Sequence, residues 1–424
     1  MPPYNSTQQG WTRRDATHLL WRTQFGASAA EIEQATSDGL EKTLDRILIK
    51  QQESETFEET AALLHQTAID SGDINQLKTW WLYRMTASAN PLVEKMSLFW
   101  HNHFATSNVK VRSARHMAAQ NDLIRSQAKG DFKALFRGMA RDVAMLIWLD
   151  GNANKKRSPN ENFAREVMEL FSLGVGNYSE DDIKEAARAF SGWHVRQEKF
   201  WFNRLQHDTS NKTVFGKTGN FDGENILTAC LAHDACPRFL ATKLLRQFVL
   251  PDPPKVAIDW LSASIRKNDF QMTPVLRDLF SSELFFSKEA RHSLIKSPVQ
   301  FVLGAYRALD VQPNLKSTAQ IIAKLGQDLF QPPTVKGWEG GRLWITSATL
   351  LQRSNFAAAL TSTETYGKLD ASLSDFKVQA EVLLAKDADL TPVINYIDQA
   401  GGSGTDRARG ALHLLLSMPE FQLT

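Results

Sequence analysis

The chain has 424 residues, 42% of them hydrophobic and 23% charged, with 11 tryptophans and 24 phenylalanines, enough apolar material for one large globule or two closely packed domains. A nucleic-acid binder normally carries a concentrated positive surface, whereas the formal charge here is +2 and no long basic run appears. No stretch approaches the ~20 continuous apolar residues of a membrane-spanning helix. Met1–Gly10 is polar, without the apolar core of a signal peptide, which places the chain in the cytoplasm; the alternative is a periplasmic chain or one exported with a partner.

Helical periodicity dominates. It predicts a helix over 15–25, two short helices over 29–52 split at Gly39, and helices over 57–71 and 75–86. Asn90-Pro91, an N-cap residue followed by proline, starts a helix that runs through His103. Further helices are expected over 114–129, 131–149, 159–173 and 180–191. Residues 198–222 are rich in Phe, Trp, Thr, Asn and Gly and read as a β-hairpin or irregular insert. Helices resume over 225–249, Pro251–Pro254 makes a stiff break, and a helical half follows. That half is interrupted at Gln331-Pro332-Pro333 and in the glycine and tryptophan loop 337–344. The fold class is therefore mainly α: a large multi-helix globule with a small hairpin insert. A helical region 1–250 carries the insert, and a helical region 251–424 packs with it as one unit. Cys230 and Cys236 lack the CxxC spacing of a zinc or redox motif, and two reduced, packed thiols are favoured over a bridge.

Chemistry-bearing residues crowd between Trp100 and Lys212. Ser158-Pro159-Asn160-Glu161 has the pattern of a capping box, which makes Glu161 structural. At about 100° per residue the following helix carries Asn162, Arg165, Glu166 and Glu169 in one stripe, opposite Phe163, Val167, Met168, Leu170 and Phe171. That stripe is either a solvated face with an Arg165–Glu169 pair, or a carboxylate pair facing a cleft. In Trp100-His101-Asn102-His103-Phe104 the imidazoles point about 200° apart on a helix. Glu94, Ser97 and His101 share one stripe. Either His103 is a core histidine with a hydrogen-bond partner, or the helix unwinds and both rings reach one site. His207-Asp208, followed by Lys212, is either an Asx-turn or a proton-transfer pair. Lys155-Lys156-Arg157 is a solvated run or an anion contact, and Trp338 and Trp344 pack a loop or stack on a sugar.

With these segments assembled, the chain resembles the bacterial family known as domain of unknown function 1800. The resemblance rests on Leu19-Leu20-Trp21-Arg22-Thr23-Gln24-Phe25-Gly26 and on the run from Glu94 through Phe104. It continues through Pro159-Asn160-Glu161-Asn162-Phe163-Ala164-Arg165-Glu166 to Gly176, then Lys184 through Phe190 with Gly192-Trp193. His207-Asp208, Pro332-Pro333 and Lys336-Gly337-Trp338 complete it. The resemblance carries no established activity. It implies a partner protein similar to the alkaline phosphatase and sulfatase superfamily, because genes of the two families are typically paired, and it implies that many relatives are exported.

The leading expectation is an enzyme assisted by a divalent metal, a hydrolase rather than an oxidoreductase. Its substrate would be a polar or anionic molecule, such as a polysaccharide or a sulfated or phosphorylated sugar. His101, His103, Glu166 and Glu169 are the metal candidates. His207, oriented by Asp208, is the acid/base, with Glu166 also catalytic, and Arg165 or Lys212 holds an anionic group. Two alternatives stay open: a non-catalytic helical scaffold or escort for the phosphatase-like partner, and a metal-free glycosidase whose two acids stand ~5 to ~9.5 Å apart.

Overall fold

Side chains that satisfy the free amides of a helix start decide where most of the helices begin. Thr12 with Asp15, Ser28 with Glu31, and Ser179 with Asp182 form reciprocal capping boxes. The computed structural model describes residues 1–4, 10–362, 376–384 and 388–424. It opens with α1 (Arg13–Thr23), α2 (Ala29–Leu48), α3 (Glu55–Ser71), α4 (Ile74–Ala87) and α5 (Pro91–His103). Next come α6 (Asn108–Val111), α7 (Ala114–Ser126), α8 (Phe132–Ala140), α9 (Val143–Trp148), α10 (Glu161–Met168) and α11 (Glu180–Ala189). After two hairpins the chain continues with α12 (Gly223–Ala232), α13 (Ala235–Phe248), α14 (Lys255–Lys267) and α15 (Met272–Phe280). It closes with α16 (Pro298–Ala308), α17 (Leu315–Lys324), α18 (Ser347–Leu360), α19 (Phe376–Leu384), α20 (Thr391–Gln399) and α21 (Gly404–Ser417). The protein is mainly α. Among the described residues no helix is long and apolar enough to cross a membrane.

Gly39 splits α2 as its sequence predicts: at φ 77° and ψ 175° it leaves the helical region without the steric penalty a side chain would bring. The expected helix 131–149 is broken, because Asp142 caps a new start by accepting from the Met145 amide. The expected helix 225–249 is likewise two helices, α12 and α13, that meet at His233–Asp234. The insert is two antiparallel hairpins that begin earlier than predicted. Strands β1 (Trp193–Arg196) and β2 (Lys199–Phe202) pair with Trp193 opposite Phe202. Strands β3 (Lys212–Val214) and β4 (Lys217–Gly219) pair with Lys212 opposite Gly219. Cys230 and Cys236 are both free and buried.

Two large apolar clusters make the core, and each draws on both halves of the chain. The first runs from Leu19 and Leu92 through Phe163, Trp193 and Phe248 to Ala290. The second joins Trp21, Trp81 and Leu98 to Phe301, Phe330, Trp338, Phe356 and Leu412. Helix α5 belongs to both: Leu92, Met96, Phe99 and Trp100 enter the first, while Leu98 enters the second.

Lys95 on this helix is buried, near two other buried cations, Arg22 and Lys296. Its Nζ donates to the Gln24 carbonyl at 3.2 Å and stands 5.0 Å from the centre of the Phe25 ring. Burial, and then the nearby Arg22, bring its ammonium down to about 7. The unfolded chain, with lysine near its usual ~10.4, holds the proton that the folded chain releases. Stability therefore rises with pH between those values, and the penalty is complete below the folded value. Lys95→Met is expected to stabilise the fold by about 1–4 kcal/mol near pH 6, by analogy with buried ion pairs replaced by apolar residues. It should also flatten that pH dependence, as read by denaturant unfolding at both ends of the window. A less stable variant overturns the argument.

Candidate functional site

The histidine motif at the end of α5 works as a seam between the two clusters. The helix continues through His103, so the two imidazoles stay on opposite sides. His101 enters the second cluster, with ring centres 5.4 Å from Trp81, 5.5 Å from Phe330 and 5.7 Å from Trp338. Burial lowers its pKa to about 3, and its Nε2 is buried without a hydrogen-bond partner among the described residues. His103 enters the first cluster among Phe99, Trp100, Phe104 and Phe132. Its Nε2 stands 3.1 Å from the Phe171 carbonyl, and burial, then Lys243, hold it well below the usual histidine range. Asn102 between them clamps a distant loop: its Oδ1 accepts from the Trp338 amide at 2.7 Å, and its Nδ2 donates to the Trp338 carbonyl at 3.2 Å. His101 and His103 are thus neutral core groups facing apart, which does not suit a shared metal shell with Glu166 and Glu169. Among the described residues no three His, Cys, Asp or Glu side chains are placed to hold a metal ion.

The carboxylate stripe of α10 is present, with altered partners. Asn160, not Ser158, caps this helix, and Ser158 instead closes a tight turn onto Lys155. Glu161 and Glu180 flank Arg165, and Glu180 binds it through both oxygens at 2.9 and 2.7 Å. Arg165 is therefore occupied by carboxylates and is not a free anion holder, and its expected pairing with Glu169 is replaced. Glu166 is half-buried; burial, then Glu169, raise its pKa, while Arg165 and Lys336 oppose the rise. Glu169 accepts from the Tyr178 hydroxyl and begins a π-helical turn, Glu169–Leu173. Burial and this hydrogen bond push the Tyr178 hydroxyl up to about 12.

The loop after β2 is locked by its own polar groups. His207 Nδ1 stands 2.9 Å from the Ser191 carbonyl. The Asp208 carboxylate accepts from Arg188 Nε and, as an Asx-turn, from the Ser210 amide, each at 2.9 Å. Burial would raise Asp208, but Ser210 and Arg188 together hold it well below the usual carboxylate range. Lys212 is buried with Nζ donating to the carbonyls of Asp208 and Ser210 at 2.5 and 3.0 Å. Asp208 therefore orients Arg188 rather than His207, and Lys212 holds backbone oxygens rather than an anion. Trp338 and Trp344 are buried loop-packing residues.

A more developed site lies on the other face of Trp81. Glu94 is 0% exposed, yet it is surrounded by donors. Trp81 Nε1 reaches its Oε2 at 3.0 Å, and Arg84 Nε reaches its Oε1 at 3.0 Å. Arg125 binds both oxygens, at 2.8 and 3.1 Å. Burial alone would raise this carboxyl, but Arg125 and Arg84 outweigh it and hold Glu94 below its ordinary range. Helical spacing assembles the group: Trp81 and Arg84 stand three apart on α4, and Asp122 and Arg125 three apart on α7. The Arg125 guanidinium lies 4.7 Å from the Trp80 ring centre, and Arg84 lies 5.3 Å from that of Phe57. Toward solvent, Arg125 Nη1 donates to Asp122 at 3.2 Å. Asp122 Oδ2 is 3.1 Å from His65 Nε2, off the line of a hydrogen bond. These groups form the floor and one wall of a cleft of about 750 Å³ between α3, α4, α5 and α7, completed by Lys50, Glu53, Glu58 and Lys129.

Residues 18–423 match the family described as Protein of unknown function (DUF1800). The chain belongs to that family. The match covers nearly the whole described fold, including α5, α10 and the Gly337–Trp338 loop. Comparison with curated proteins and with solved structures finds no significant match. For this DUF1800 chain, sequence reading placed Glu94 and His101 on one stripe, and they do flank the same tryptophan. It missed Arg84, Arg125, Asp122 and His65; the spacings Trp81…Arg84 and Asp122…Arg125 were visible within their own helices, and nothing in the sequence joined them to Glu94 or to His65.

Proposed function

We propose that this DUF1800 chain binds a small hydroxyl-rich molecule, such as a sugar ring, in the cleft above Glu94. The observation that carries the reading is a buried carboxylate held ionised at the floor of a cleft of about 750 Å³, a size in the usual range for small-molecule sites. Lys50, Arg84, Arg125 and Lys129 line the space along with Glu53, Glu58 and Asp122, over the buried Glu94, so cations and anions balance four to four. A charge-balanced wall attracts no net charge, but it offers donors and acceptors together, as hydroxyl groups need. Because the guanidinium and carboxylate groups already bind each other, little side-chain freedom is lost when a ligand enters.

A catalytic form of the reading rests on one further observation: His65 stands beside Asp122 at the rim, where it can exchange a proton with a bound hydroxyl. The test is a thermal-shift screen of the intact chain with neutral mono- and disaccharides, uronic acids and sulfated or phosphorylated sugars. A neutral sugar is expected to raise the melting temperature, by an amount corresponding to about 2.7 kcal/mol at a hundredfold excess over Kd. Asp122→Asn, at the solvent edge, is expected to weaken that response while leaving the unliganded melting temperature near its original value. A panel in which no sugar shifts the wild type sinks the reading.

A further inference from the structure

The geometry points to a second working surface, none of whose residues lines the cleft: the tip built from loop 151–158, the β1–β2 turn and the turn at 204–206 docks on an anionic lipid surface. Three links make this tip one rigid piece. The Lys156 amide donates to the Gln206 carbonyl at 2.7 Å, the Val195 amide to Asn152 Oδ1 at 2.6 Å, and the Gly192 amide to the Asn154 carbonyl at 3.1 Å. Lys155 and Ser158 close a turn whose two central residues, Lys156 and Arg157, are exposed. Lys155, Arg196, Lys199 and Arg204 are exposed around them.

Charge decides what this surface attracts. Among the described residues none of these six cations is held in an ion pair, whereas most of the acids nearby are engaged. Asp150 is paired with Lys110, Glu161 with Arg165, and Asp208 with Arg188. Glu198, in the β1–β2 turn, is the acid that offsets the tip. A polyanion would meet this charge equally well, and the apolar residues select the bilayer. Leu205 is 91% exposed, and it cannot fold back, because Asn203 Oδ1 accepts from its amide at 3.2 Å and the 204–206 turn is tied to Lys156. A lone exposed leucine is ordinary; one held out rigidly among six free cations is an interfacial anchor. Trp201, also exposed, carries Arg196 over its ring at 5.0 Å, an amphipathic pair of the kind found at headgroup depth.

The experiment is co-sedimentation of the intact chain with vesicles of phosphatidylcholine alone and of phosphatidylcholine containing phosphatidylglycerol, at low and physiological salt. Binding is expected only with the anionic lipid and should weaken as salt rises. The triple variant Lys155→Gln, Lys156→Gln, Arg157→Gln is expected to lose about tenfold or more in partitioning. Leu205→Asn should weaken vesicle binding and leave heparin binding unchanged. All the altered side chains are exposed, so melting temperatures should match the wild type. No binding to anionic vesicles overturns the proposal. So does vesicle binding that is indifferent to Leu205→Asn, which would identify a polyanion site instead.

Discussion

Glu94→Gln is expected to remove about 3–5 kcal/mol of folding stability, the range for breaking a buried ion pair from one side. The substitution changes little in volume, so a cavity does not account for the loss. What changes is that Arg84 and Arg125 keep their charges beside a neutral amide, and one of the amide's two polar atoms can only donate. Of the four hydrogen bonds that reach the carboxylate from Trp81, Arg84 and Arg125, those to the new nitrogen are lost while their donors stay buried. Denaturant unfolding of wild type and variant at neutral pH measures the difference. A loss below about 1 kcal/mol would mean that the arginines relax into solvent, and the preformed cleft floor would fall with it.

The pH dependence supplies an independent check. Because Glu94 is held below its ordinary pKa, its contribution is present above the unfolded value of ~4.3 and is lost as pH falls through the lower folded value. The gap between wild type and Glu94→Gln should therefore narrow on acidification. His101 acts in the same direction for a different reason: burial keeps it neutral down to about 3, so the unfolded chain takes up its proton first and stability falls as pH drops below the ordinary histidine value. Glu94→Gln leaves the histidine component in place, and the variant should still lose stability in that higher window.

Local signals made most of the helices legible, because caps, prolines and the 3.6-residue period act over a few residues. Gly39 and Asn90-Pro91 were readable for that reason, and the opposed directions of His101 and His103 followed from helix geometry alone. The failures share a cause as well. Asp142 breaks a predicted helix and Asn160 displaces Ser158 as a cap, since several polar residues in a row can each start a helix and packing chooses among them. The Glu94 cleft was hidden for a deeper reason: His65, Arg84, Glu94 and Arg125 lie on four helices, and no periodicity within one helix reports which neighbour it will face. The hairpin loop was read with the right residues and the wrong pairing. Sequence adjacency suggested that Asp208 serves His207, whereas the fold brings Arg188 from α11 to within 2.9 Å of the carboxylate.

Gly337→Ala is expected to be nearly as damaging as the loss of Glu94, for a reason found in no side chain of its own. Gly337 has a φ of 83°, and a Cβ there would stand 2.2 Å from Asn102 Oδ1 and 2.6 Å from the Asn102 carbonyl oxygen. The side-chain oxygen can swing away, but the carbonyl belongs to the last turn of α5 and cannot. A left-handed alanine costs about 1–2 kcal/mol and overpacking about 1–3 kcal/mol, so a loss of about 2–5 kcal/mol is expected in denaturant unfolding. Asn102→Ala removes only the side-chain clamp on Trp338 and should lose about 1–3 kcal/mol. Combined, the two should fall short of their sum, because the first substitution has already strained the clamp that the second deletes. Strict additivity would mean that the contact between Asn102 and the loop is not what Gly337 serves. Since Trp338 is one wall around His101, either variant should also speed hydrogen exchange of the amides around Trp338 beyond what the global loss explains, marking this loop as the part that opens first.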